Sequence, residues 1–243
     1  MNTLDIVTPT MWRGVGFIDQ LKEYCSCDSV KNIFLIDNDK SKRPNDKILQ
    51  HPKIKIICYG KNIFVNPAWN EGYYRSKADV ICFLNDDLQI DIDIFDTMSQ
   101  LDFTNIDIIG VHLKGSVDNF HVVNHPDKKE ELIRMNIDKT QPIGGQAYAF
   151  GCCMFIKRSS YKVIPSLYQV WYGDDYLVQK NENIFALKTS KIRGEISKTI
   201  VDLTKNKKNE VQKRIDLDTI NAYKFNHFKN GKNWDIFKKN LKK

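Results

Sequence analysis

Short apolar runs recur along the first half of the chain, each closed by polar or turn-forming residues. LDIVTP (4–9) reads as a strand ending at Pro9, NIFLID (32–37) as a second and IKIICY (54–59) as a third. ADVICFL (78–84) and IDIIGVHL (106–113) give a fourth and a fifth. Between them the period changes. VGFIDQLKEYC (15–25) places Val15, Ile18, Leu21 and Cys25 at helical spacing. Asn66-Pro67 opens another helix, with Asn66 suited to the N-cap and Pro67 to the first turn, running to about Lys77. Strands alternating with helices predict βαβ units and an α/β fold with a mainly parallel, Rossmann-like central sheet flanked by helices.

Past residue 113 the pattern weakens. Residues 114–145 are polar, with no clear period, and read as a long loop or small insertion. AYAFGCCMFIKR (147–158) returns to strand character. YGDDYLVQK (172–180) reads as a turn feeding a helix, since acids favour a helix's first turn. Val211, Ile215, Leu217 and Ile220 suggest a helix within 210–225. The expected organisation is a single domain over 1–225, with a strongly patterned half (1–113) and a weakly patterned half (114–225), followed by a basic tail (226–243). In the tail, aromatic residues interleave with lysines. That suits either an anionic membrane surface or a helix packed on the domain.

Composition narrows the class. The 243 residues are 42% hydrophobic and 28% charged, an ordinary globular balance. No apolar run approaches a membrane span, and the N-terminus lacks the basic-then-apolar pattern of a secretory signal. The six cysteines lack zinc-site spacing; Cys58 and Cys82 sit in apolar strands and read as core residues. A reducing, cytoplasmic setting is the simplest expectation. The net charge of +7 suits an anionic partner without specifying it.

In an open parallel sheet, ligands bind beyond the carboxyl ends of the strands. That directs attention to Thr8-Pro9-Thr10, Asp37-Asn38-Asp39, Gly60 to Asn62 and Asn85-Asp86-Asp87. Each suits a turn. The last triplet also suits a hard divalent cation such as Mg²⁺ or Mn²⁺, which prefers oxygen ligands and shares them with phosphate. Asp174-Asp175, following Trp171 and Tyr172, reads either as a helix cap with a first-turn acid or as a general base beside an aromatic surface.

The order of these motifs carries a resemblance. NIFVNPAWNEG (62–72) matches the N-x-G-x-x-x-A-x-N-x-G pattern of family 2 glycosyltransferases at Asn62, Ala68, Asn70 and Gly72, with Phe64 where the family usually has Gly. ADVICFLNDD resembles that family's strand and D-x-D motif. LDIVTPT and NIFLIDN resemble its first two strands, FGCCMFIKRSSY its acceptor-side strand, and YGDDY its E-D motif. The set runs in family order from residue 4 to about 180. The resemblance implies a GT-A fold and an inverting, metal-dependent transfer from a nucleotide-sugar, with uridine diphosphate sugars the default, to a glycan or related acceptor.

By the same resemblance, Thr8, Pro9, Thr10, Trp12 and Asp37 would line the nucleoside pocket. Asn62 and Asn70 would support the nucleotide-side loop and helix. Asn85 and Asp86 would lie along ribose and diphosphate, and Asp87 would bind the metal. Asp175 would be the base, Asp174 would hold an acceptor hydroxyl, and Trp171 and Tyr172 would form the acceptor platform. Two departures stand out. Asn85 replaces the first acid of the motif, and IRGEISKT (192–199) has no His where the family often completes the metal shell. Two other readings have weaker support. A nucleotidyltransferase usually has a Gly-rich phosphate loop, and TPTMWRGVG has only Gly14 and Gly16. For a basic nucleic-acid-binding protein the charge is permissive, but no recognised motif is present, so no nucleic-acid partner is expected.

Overall fold

A computed structural model describes residues 1–111, 130–139, 150–194 and 213–222. The predicted βα alternation is present. Strand β1 (Leu4–Thr10) leads to helix α1 (Phe17–Ser26), β2 (Val30–Asp37), β3 (Ile54–Cys58), α2 (Val65–Arg75) and β4 (Val80–Leu84). There follow β5 (Leu88–Ile90), α3 (Asp93–Gln100), β6 (Ile108–Val111), β7 (Glu131–Arg134) and β8 (Cys153–Lys157). Helix α4 (Gly173–Gln179) and strands β9 (Ile184–Lys188) and β10 (Ile192–Gly194) come next, and residues 213–222 form a further helix, α5.

Eight strands form one sheet in the order β3-β2-β1-β4-β8-β6-β9-β7. β3, β2, β1 and β4 are mutually parallel, β8 is antiparallel to β4 and β6, and β7 is antiparallel to β9. The sheet is thus mostly parallel with antiparallel pairs in its second half. β5 and β10 make a separate antiparallel pair.

The apolar runs of β1, β2 and β4 are buried on both sides, as near-continuous hydrophobic strands require. Side chains alternate between two cores. Leu4, Ile6, Ile33, Leu35, Cys82 and Phe155 pack on the face that carries α1 and α3. Val7, Phe34, Ile36, Phe83 and Met154 pack on the other, against Ala68 and Trp69 of α2 and Leu177 and Val178 of α4. Gly72 lets α2 sit directly on β1, because a Cβ there would fall inside the Val7 side chain.

Several expectations are corrected. Helix α1 begins at Phe17, leaving Val15 outside it and 52% exposed; its buried face is Phe17, Gln20, Leu21, Tyr24 and Cys25. α2 begins at Val65, so Asn66 is a buried residue of its first turn rather than its cap. Cys58 is exposed, because β3 is an edge strand with a neighbour on one side only, whereas Cys82 is fully buried. β7 lies within the stretch read as a loop; its exposed, charged pattern gives no alternating signal. α3 and the short strands β5, β9 and β10 were not legible either. Residues 112–129, 140–149 and the tail 226–243 lie outside the described residues.

Candidate active site

The strand order reverses at β1: β2 lies on one side of it and β4 on the other. A crevice beyond the carboxyl ends at such a switch point is where open α/β sheets bind ligands. Thr10, the last residue of β1, stands opposite Asp37, the last of β2. On the other side the Thr10 hydroxyl donates to Asp86 Oδ2 at 2.6 Å. One threonine therefore bridges the two predicted acidic loops.

The same hydroxyl oxygen accepts the Trp12 N–H at 2.8 Å. Trp12 then turns back with φ 59 and its indole N–H donates to Asp37 Oδ1 at 2.9 Å. Asp37 is buried and saturated. Oδ1 also accepts the Asp39 N–H at 3.0 Å, and Oδ2 takes Arg43 Nε at 2.7 Å and Arg43 Nη2 at 2.5 Å. Arg43 was not foreseen; it lies six residues beyond its partner, in a stretch with no motif. Thr8 and Pro9 lie inside β1, buried and in register with Leu35 and Ile36, so only Thr10 of that trio has a side chain bonded at the crevice.

Beyond β4, Asp86 is enclosed by the loop after β1. Burial raises its pKa, and hydrogen bonds from the Thr10 hydroxyl and the Arg13 and Met11 amides oppose that shift. Gly14 packs so closely that a Cβ there would overlap the Asp86 carbonyl oxygen. Asp86 thus acts as a strut for the loop; all three residues of the triplet, Asn85, Asp86 and Asp87, are partly exposed.

The antiparallel direction of β8 brings a second group of residues to the same edge. Its first residue, Cys153, pairs with Leu84, the last of β4. The preceding turn, Phe150–Cys152, therefore lies beside Asn85–Asp87. Asn85 N–H donates to the Cys152 carbonyl at 3.0 Å. Gly151 N–H donates to Asp174 Oδ2 at 2.8 Å, and Asp175 N–H to Asp174 Oδ1 at 3.0 Å. Burial and the negative charges of Asp87 and Asp174 push the Cys152 thiol well above its usual range. Burial also raises the Asp174 pKa, against the amides of Gly151 and Asp175. Asp87 and the Asp174-Asp175 pair thus flank one short turn.

The asparagines of the 62–72 motif act locally. Asn62 Oδ1 accepts the Phe64 N–H at 2.8 Å and shapes the approach to α2. Asn70 is committed to the segment after β8: Nδ2 donates to the Ile164 carbonyl at 2.9 Å, and Oδ1 accepts Tyr161 OH and the Ile164 N–H. Its amide joins two parts of the fold rather than facing the crevice. Phe64, at the position where the family pattern has Gly, has φ 67 and ψ −174. That region is nearly exclusive to glycine and costs about 1–3 kcal/mol otherwise. Tyr172, with φ 65, precedes α4, and Trp171 is 49% exposed beside it. Trp12, Phe64 and Tyr172 are the non-glycine residues with positive φ among those described, and all three lie on loops around this edge.

Asp87 is the last acid of its triplet and is partly exposed, but among the described residues no three His, Cys, Asp or Glu side chains converge into a metal-binding group. Nor, among those residues, is any helix long and apolar enough to cross a membrane.

The family described as glycosyl transferase family 2 matches residues 16–164, more than half of the chain. No curated protein sequence matches. Among solved structures, residues 1–349 of S. aureus TarS superpose with a TM-score of 0.55 at 13% identity, covering 94% of this chain and 72% of that one. The same TarS fragment in complex with UDP-GlcNAc gives 0.51 at 12% identity, covering 80% and 60%. The mannosyltransferase PcManGT from Pyrobaculum calidifontis, in complex with GDP-Man and Mn²⁺, gives 0.51 at 10% identity, covering 78% and 57%. At these identities the likeness is one of fold, that of GT-A glycosyltransferases.

Proposed function

The chain belongs to glycosyltransferase family 2, and from that premise we propose that it transfers a sugar from a nucleotide-diphosphate sugar, a UDP-sugar by preference, to a hydroxyl of a glycan or related acceptor, with inversion. The observation that carries this reading is the turn 151–152. It is hydrogen-bonded to Asn85 and to Asp174, so both groups of acids border one turn, which supports a shared site for donor and acceptor. The fold relatives add support: TarS is complexed with UDP-GlcNAc and PcManGT with GDP-Man and Mn²⁺. The division into a nucleotide-binding half (1–113) and an acceptor-binding half (114–225) follows the same two groups.

In this reading the nucleoside sits beyond β1 and β2, over Thr10, Trp12 and Asp37. Asn85 lies along ribose and diphosphate, and Asp86 holds the loop that covers them. A divalent cation would be held by Asp87 with diphosphate oxygens and water. One carboxylate from the protein suits Mg²⁺ or Mn²⁺, which share phosphate oxygens and tolerate several waters. When bound, such an ion supplies Lewis-acid stabilisation of the leaving diphosphate. Asp175 accepts the proton of the acceptor hydroxyl. The hydroxyl oxygen bonds to the anomeric carbon as the bond to the diphosphate breaks on the opposite face, and the configuration inverts. Trp171 and Tyr172 offer an apolar face for the acceptor sugar.

A second assignment of the base has its own support. Burial raises the Asp174 pKa, the direction that favours a proton acceptor. Separate Asp174→Asn and Asp175→Asn variants distinguish the two: the base variant loses transfer while keeping nucleotide affinity. A thermal-shift panel of UDP, GDP and thymidine diphosphate, with and without Mn²⁺, tests the reading as a whole. Stabilisation by at least one diphosphate, enhanced by Mn²⁺, is expected. No shift with any of them refutes it. The free thiols of Cys27, Cys82 and Cys153 support a reducing, cytoplasmic setting.

A further inference from the structure

The stretch Gln169 to Tyr172 carries the acceptor platform and leads into Asp174 and Asp175, yet it has no helix or strand of its own. Its backbone is held from two sides. On one side is α2: Asn66 N–H donates to the Gln169 carbonyl and Asn66 Nδ2 to the Trp171 carbonyl, each at 2.9 Å. On the other is α5, which contributes Asp218. That side chain is 0% exposed. It accepts the Gln169 N–H at 3.0 Å on both oxygens, the Val170 N–H at 2.7 Å and the Trp171 N–H at 3.0 Å on Oδ2.

Three successive backbone N–H groups converging on one anion form a nest. Hydrogen bonds to an ionised acceptor are roughly twice as strong as neutral ones. A buried carboxylate with both oxygens occupied cannot reach a substrate. α5 is fastened around it: Asn221 Nδ2 donates to the Leu167 carbonyl at 2.9 Å, and the Arg214 guanidinium lies 5.5 Å from the centre of the Phe64 ring. Phe64 is the strained residue at the start of α2, so α5 touches both elements that border the acceptor side.

We propose that Asp218 is a positioning residue of the transfer step, holding Gln169–Trp171 so that Trp171, Tyr172 and the two acids of α4 face the donor. This rests on the glycosyltransferase reading above. Nothing in the 1–180 motif series points to residue 218, 43 positions beyond the last acid (218 − 175). An acid within a helix pattern reads as a solvated side chain until the tertiary structure places it.

The test compares the full-length wild-type chain with Asp218→Asn, which removes the charge and one acceptor oxygen at little change in volume. UDP affinity, measured by calorimetry with Mn²⁺, should stay within about twofold, since Thr10 and Asp37 lie in the other half of the sheet. Turnover with sugar donor and acceptor should fall about 100-fold, the scale of a small misplacement of reacting groups. Turnover within about twofold of wild type overturns the proposal. So does a parallel loss of UDP affinity and turnover, which marks a general structural role. Should the variant fail to fold, hydrogen exchange on the wild type decides. The amides of residues 169–171 should be protected like those of α2, and exchange at the rate of an exposed loop overturns the proposal. A wild-type chain that transfers sugar from none of the donors, and binds none of the diphosphates, fails the glycosyltransferase reading itself; an active wild type with an equally active Asp218→Asn fails only the positioning role.

Discussion

Replacing Thr10 with Val removes one hydroxyl from the end of a buried strand and keeps the β-branched shape that the strand favours. That hydroxyl holds two partners: it donates to Asp86 at 2.6 Å and accepts the Trp12 N–H at 2.8 Å. A hydrogen bond to a charged group contributes about 1.5–3 kcal/mol, and an enclosed acceptor left without its donor loses most of that. In a chain of this size each kcal/mol moves Tm by about 2–4 °C. A loss of roughly 3–12 °C is therefore expected by calorimetry or thermal shift.

The pH dependence gives a sharper check. Burial raises the Asp86 pKa and the Thr10 hydroxyl opposes the rise, so Thr10→Val moves it further up. Between the two folded-state values the variant binds more protons than the wild type, and its relative stability falls as pH rises. The Tm deficit should be full at neutral pH and shrink as pH falls through both values, because a protonated Asp86 no longer needs the donor. UDP affinity should drop as well, since the same bond sets the loop over the nucleoside. A variant that melts within 1 °C of wild type at pH 7 refutes the argument. A deficit that does not vary with pH assigns the loss to packing rather than to the acid.

Other outcomes follow from the same geometry. Asp175→Asn should reduce transfer by about 100-fold or more while UDP affinity is kept, the range of general-base catalysis; near-normal turnover moves the base to Asp174. Asp87→Ala should remove the Mn²⁺-dependent part of UDP affinity in calorimetry, and unchanged Mn²⁺ dependence rules out Asp87 as the ligand. Gly72→Ala should cost about 1–3 kcal/mol by forcing α2 off Val7, read as a lowered urea midpoint. An unchanged midpoint there contradicts the close α2–β1 contact.

Much of the fold was legible because its first half is written in buried strands. β1, β2 and β4 show as apolar runs because helices cover both faces of the sheet, so solvent imposes no alternation on them; β3, on the edge, is apolar in composition although only its first residue is buried. The acids at their ends were legible for the complementary reason: chain leaving a buried sheet must become polar. β7, on the sheet's edge with three of its four residues exposed, has no such pattern and escaped notice.

The assembly of the site depended on tertiary structure. Sequence order separates Asp87 from Asp174, and only the antiparallel return of β8 beside β4 places the 151–152 turn between them. Within the triplet, the family resemblance separates the roles of the two adjacent acids; the hydroxyl of Thr10 and the close approach of Gly14, which make Asp86 a strut for the loop, are visible only in the tertiary structure. Asn70 matches a family motif, yet its hydrogen bonds tie α2 to Ile164, because a motif records which residue stands at a position and not which partner its amide finds. Local sequence thus set the strands and the acids that end them. Which acids meet was decided by strand order and direction, through contacts between residues far apart in the chain.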